Sequence, residues 1–158
     1  MTQLPGSGFV LETVFSDHLE FRGVPDADLP PDTGDITVGW DWRFADNDFV
    51  EVSFSLGREP TRDRPEFVQA SHVGVFRVMP GDNTIPLEQF VKIHAPALLM
   101  SYAREAISNL TSRGAYEPLF LPPVNIVELM ARFDIESTQG MRQLREKERA
   151  GDLQPADK

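Results

Sequence analysis

The sequence predicts an α+β fold, a four-stranded antiparallel sheet with a long helix and a second, C-terminal helix on one face, from three observations. Apolar residues fall on alternate positions through the first half of the 158-residue chain and at helical spacing through the second. Short loops join the candidate strands, which favours antiparallel neighbours in a meander. Strands first and helices second is the order of a sheet that carries its helices on one side.

Phe9, Leu11, Thr13 and Phe15 begin the first strand, which Ser16-Asp17-His18 interrupts before Leu19-Glu20-Phe21 resumes. The Pro- and Asp-rich run from Pro25 to Gly34 reads as a loop. Ile36, Val38, Trp40, Trp42 and Phe44 give the cleanest two-residue period in the chain, and Asp46-Asn47-Asp48 turns it into Val50, Val52, Phe54 and Leu56. After a charged loop from Gly57 to Pro65, Glu66 to Met79 supplies a fourth strand. Beyond Pro80-Gly81-Asp82-Asn83 the period becomes helical. Pro86 to His94 forms a short helix, and Pro96 suits the first turn of a longer one that stops near Arg113 before Gly114. Asn125, with Glu128 three residues on, is a capping-box variant that starts a second helix at Ile126. Its stripe is Ile126, Leu129, Met130 and Phe133, continued by Met141 and Leu144. Residues 1–8 are then an N-terminal arm, 9–145 one domain, and 146–158 a charged, flexible tail.

Fifteen Lys and Arg against 25 Asp and Glu give a formal charge of −10. The acidity is concentrated between Glu12 and Glu51, with eleven acids against two bases, Arg22 and Arg43. Nucleic acid is not an expected partner of such a surface. No apolar run is long enough to cross a bilayer and MTQLPGSG has no signal-peptide character, so a cytoplasmic protein without membrane insertion is expected. The chain has no Cys, which removes disulfides and thiolate chemistry.

No residue is a catalytic candidate. His18, His72 and His94 lack the spacing of a metal site and read as sheet-surface or loop residues, and no glycine-rich phosphate loop or nucleophile elbow is present. Neither a metal nor a cofactor is expected. The informative segment is Tyr116-Glu117-Pro118-Leu119-Phe120-Leu121-Pro122-Pro123, whose three prolines withhold backbone donors while its neighbours carry bulky apolar groups. It cannot be a central strand. Trp40 and Trp42 on one strand, with Leu119, Phe120, Leu121 and Met130, either complete a sheet–helix core or border an open groove.

In these residues the chain closely resembles the SecB family of bacterial protein-export chaperones. The resemblance lies in Tyr102-Ala103-Arg104-Glu105, Ser112-Arg113-Gly114 and Leu121-Pro122-Pro123-Val124-Asn125, then an apolar helix, in the family's order and spacing. Phe9-Val10-Leu11, Phe15-Ser16, Leu19-Glu20-Phe21 and Gly74-Val75-Phe76 support it. It implies a non-enzymatic, ATP-independent holdase for unfolded polypeptide clients, assembled as a homotetramer (a dimer of dimers) that passes preproteins to the motor SecA.

By position, Val38, Trp40, Leu119, Phe120, Leu121, Val124, Ile126, Leu129 and Met130 correspond to the client groove, and Tyr102, Ala103, Ala106 and Ile107 to the subunit interface. The SecA-facing surface corresponds to Asp17, His18, Glu20, Arg22 and Gln69. There the chain departs from the family: His18, Arg22 and Gln69 stand where export members present acids. A chaperone dedicated to another client, such as an antitoxin, without SecA handover, is therefore a second expectation. A small-ligand protein or enzyme reusing the fold is a third.

Overall fold

Four strands form one antiparallel sheet: β1 (Phe9–Gly23), β2 (Ile36–Asp46), β3 (Phe49–Arg58) and β4 (Glu66–Val78). The computed structural model describes residues 8–25, 29, 35–81 and 85–151. The proposed arm up to residue 7, most of the Pro25–Gly34 loop and the end of the proposed tail lie outside them. β2, β3 and β4 follow the expected meander, but β1 pairs with β4, giving the order β1-β4-β3-β2. This is a Greek-key arrangement in which β1 and β2, consecutive in sequence, occupy opposite edges of the sheet. Proximity in sequence therefore misplaced one strand.

Alternation then assigns the faces. Val50, Val52, Phe54 and Leu56 of β3 pair with Phe76, Gly74, His72 and Ala70 of β4, and all are buried on the helix-bearing face. Trp42 and Phe44 of β2 continue that face. Gly74 is required there, because a Cβ would press on the Phe76 ring and on Leu99. β1 is one strand rather than two, and its interruption at Ser16-Asp17-His18 is a register shift of the kind a β-bulge produces.

The helical half is one run where two separate helices were expected. α1 (Leu87–Gln89) passes through a π turn (Phe90–His94) into α2 (Ala95–Thr111), two residues shorter than the Arg113 boundary. Pro96 explains the wide turn. It has no N–H to donate to the preceding turn, Ala95 N–H reaches back to Phe90 O, and Val91 O instead accepts the Trp40 indole N–H at 3.0 Å. Ala95, Leu99, Ala103 and Ile107 pack onto β3 and β4 as the buried stripe of α2.

The second helix is also divided. α3 (Ile126–Met130) ends after five residues, a short 3-10 turn covers Ile135–Ser137, and α4 (Gln139–Ala150) begins afresh with Thr138 as its N-cap. α4 runs past Arg145, where the tail was expected to begin, and ends at Gly151 in a left-handed conformation. It packs on β2: Gln143 Oε1 accepts Phe44 N–H at 2.8 Å, and Asp41 Oδ1 accepts Gln139 N–H at 3.3 Å.

Gly140 lies directly against the Trp42 ring, where a Cβ would overlap it. Gly140→Ala should therefore lower stability by about 1–3 kcal/mol, the usual range for overpacking a filled core. Urea denaturation checks this, with hydrogen exchange expected to quicken first along α4.

Candidate functional site

Thr111 ends α2, the chain turns through residues 112–116 and then runs without regular structure to Asn125, with Pro118, Pro122 and Pro123 keeping it out of the sheet. Side chains of other elements satisfy its backbone. Thr111 Oγ1 accepts Leu119 N–H at 2.8 Å while donating to Ile107 O at 2.8 Å. Arg104 Nη2 donates to Leu121 O at 2.6 Å, and Arg64 Nη2 donates to Glu117 O. Held this way, the segment inserts Leu121 into the core at 7% exposure and leaves Phe120 76% exposed.

α3 continues the surface. Asn125 caps it through Glu128 N–H at 3.4 Å, and Met130 is sealed in the core at 1% exposure. Ile126 and Leu129 are half-buried, whereas Val124 and Val127 are exposed, Val127 at 56%. From the sheet, Ile36 is exposed, Val38 half-buried, and Trp40 half-buried with its ring edge-on to Phe133 at 6.0 Å.

Leu121 and Met130 are thus corrected from groove-lining to core positions, because each takes the inward side of its segment. Val127 and Ile36 are apolar surface residues absent from the sequence-predicted set. Their signal was an apolar residue just off the buried stripe of α3 and another at the start of β2.

The predicted subunit-interface set also divides. Ala103 and Ile107 face the subunit's own sheet and are fully buried, so they are unavailable to a neighbour. Tyr102 is exposed and Ala106 half-buried. Leu98, one helical turn before Tyr102, is exposed with it.

The opposite face of the sheet carries His18, Glu20 and Arg22 of β1 and Gln69 of β4, with Glu20 directly across from Gln69. The shift beside His18 adds Asp17 to this face, where it shares a shallow hollow with Asp41, Arg43, Glu51 and Ser53. The arginines here are paired with glutamates. Arg22 Nε donates to Glu20 at 2.7 Å, Arg43 Nη2 lies 2.6 Å from Glu51, and Arg77 Nε lies 2.6 Å from Glu12. The Arg22 hydrogen bond, then the His18 one, holds the Glu20 carboxyl below its ordinary value.

His72, expected at a surface or loop, is instead buried between Phe54 of β3 and β1. Ser16 Oγ lies 3.2 Å from its Nε2, and its Nδ1 has no partner among the described residues. Desolvation pushes its pKa below the ordinary histidine value. Among the described residues no cluster of His, Asp or Glu is fit to hold a metal, and no helix is long and apolar enough to cross a membrane.

This architecture is that of the SecB-like chaperones. A SecB-like chaperone of Mycobacterium tuberculosis, solved in complex with a peptide from an antitoxin, superposes with a TM-score of 0.58 at 16% identity, over 74% of this chain and 88% of that one. The family model of SecB, preprotein translocase subunit SecB, matches residues 22–135. The SecB protein-export protein of Azoarcus sp. is 32% identical over 82% of this chain and 89% of its own length. That of Rhodospirillum centenum is 33% identical over 62% of this chain, the match spanning 60% of the relative. The chain belongs to the SecB family, a family of chaperones and not of enzymes.

Two outcomes follow from the buried polar groups. Thr111→Val strands the Leu119 N–H and should cost about 1–3 kcal/mol in urea denaturation, with faster exchange at the Leu119 amide. Because folding depresses the His72 pKa, the unfolded chain binds more protons as pH falls through the ordinary value of about 6.5. Stability should be full above that pH and decline below it. A His72→Gln variant compared with wild type by denaturation at pH 7.5 and 5.0 should show a smaller pH difference.

Proposed function

We propose that this protein is an ATP-independent holdase that binds unfolded polypeptides on the apolar surface formed by Ile36, Val38, Trp40, Leu119, Phe120, Val124, Ile126, Val127 and Leu129. The observation that carries the reading is Phe120, held outward at 76% exposure by a segment whose backbone is fastened on both sides of it. With Val124 and Val127 also exposed just beyond it, Phe120 belongs to an apolar patch of the kind that an occupant covers. An extended client gains about 25 cal/mol for each Å² of apolar surface buried, without requiring one sequence. The working assembly is a cytoplasmic homotetramer, with Leu98 and Tyr102 along the exposed flank of α2 meeting a second subunit.

A role in protein export accords with the names of the relatives. A second reading, service to a dedicated client without SecA handover, is favoured by the face around β1. There Glu20 is already engaged by His18 and Arg22 and is not free for a basic partner.

Phe120→Asp and Val127→Asp should each weaken suppression of client aggregation several-fold, read by light scattering of a refolding client with stoichiometric chaperone. Met130→Asp should unfold the subunit instead. Undiminished suppression by the Phe120 and Val127 variants would remove the groove assignment. Titration with the basic tail of SecA from the same organism separates the two roles: saturable binding supports export, and its absence supports the dedicated client.

A further inference from the structure

The end of β3 departs from the apolar character of the surface beside it. Arg58 follows Leu56 on the helix-bearing face and stands directly across from Ile36 on β2 and Val68 on β4. Its guanidinium is partly buried and makes no hydrogen bond or ion pair among the described residues. Arg64 lies close enough to act on it electrostatically, as does Glu66. Arg64 is committed, donating to Glu117 O in the extended segment and lying 3.7 Å from Glu66 Oε2. Glu66 is buried at the end of β4. Glu66 is thus taken by Arg64, and Arg58 is left without a carboxylate partner among the described residues, at the Ile36 end of the apolar surface.

This imbalance is costly in isolation. Burial first, then the cation of Arg64, lowers the Arg58 pKa, and Glu66 only partly opposes them. A guanidinium with its donor fork unused and partly removed from water is a ready partner for a carboxylate. The protein as a whole has a charge of −10, so an arginine without a carboxylate partner stands against its background. Past it the surface is open, since Glu59, Arg62 and Asp63 are exposed, and a bound chain can run on beyond the pair.

We infer that Arg58, supported by Arg64, anchors an acidic side chain of the bound polypeptide, so that favoured segments carry an Asp or Glu next to their apolar stretch. The inference rests on the groove reading above and adds a selectivity to it. Apolar contacts with Phe120, Val127 and Ile36 supply sequence-tolerant affinity, and the carboxylate sets where along the client the chaperone sits.

The test is fluorescence anisotropy with labelled, unstructured peptides that differ at one position after an apolar stretch, Glu in one and Gln in the other, each made with a free and an amidated C-terminus. Wild type should bind the Glu peptide about three- to tenfold tighter than the Gln peptide at low salt, the difference shrinking as salt rises. Arg58→Gln should abolish the difference while leaving the Gln peptide's affinity unchanged, and Arg58→Lys, which keeps the charge but loses the fork, should retain part of it. Equal binding of both peptides by wild type, or a difference that survives in Arg58→Gln, overturns the anchor and leaves the groove reading standing. A preference that follows the free C-terminus overturns the side-chain assignment. No binding of any peptide removes the groove reading and the anchor together.

Discussion

The backbone from Tyr116 to Pro123 belongs to neither the sheet nor a helix, and the rest of the surface depends on how its polar groups are satisfied. Three prolines remove donors, so the segment cannot take a place in a ladder, yet a half-buried peptide group without a partner is expensive. Thr111, Arg104 and Arg64 resolve this by meeting Leu119 N–H, Leu121 O and Glu117 O. Those anchors come from α2 and from the loop before β4, which fixes the segment relative to helix and sheet together. Once its path is set, extended geometry dictates the rest: Leu121 turns in and Phe120 turns out.

The same economy recurs at Pro96. A proline that opens a π turn releases the Val91 carbonyl, and the indole of Trp40 takes it. A defect in the helix thereby orients a tryptophan at the border between core and apolar surface. The face of the sheet away from the helices follows a different rule, with arginines matched to glutamates across and along strands. Such exposed pairs add little stability. Their effect is to neutralise part of that face, which keeps Asp17 and Asp41, so the two sides of the sheet differ in chemistry as well as in cover.

Much of the fold was legible from pattern alone. The alternation of Ile36 to Phe44 and Val50 to Leu56, the Asn125 cap and the extended character of the proline segment all appear in the structure. What pattern misses is what depends on distant partners. β1 lies beside β4, a long-range pairing that local period does not encode. α3 and α4 were merged because both carry apolar residues at helical spacing, and the break between them rests on two local caps, Asp134 and Thr138. The open surface was half readable: Phe120 and Val124 are exposed, but Leu121 and Met130 required knowing which side of each segment meets the core. Ala103 and Ile107 failed for the same reason, since a helix stripe shows that something is covered and not which body covers it. Arg58 carried no signal, because one basic residue ending a strand is ordinary until its neighbours are known.

Trp40 and Trp42 lie two residues apart on β2, on the same face, yet in different surroundings. Trp42 is sealed beneath Gly140 of α4, while Trp40 is half-open and fastened by its indole nitrogen. The molecule therefore carries two tryptophan fluorophores with separate sensitivities, one to the seating of the last helix and one to the water at the rim of the apolar surface. Replacing either with phenylalanine isolates the light from the other, so docking of α4 and occupation of the surface become optically distinguishable in the unlabelled protein.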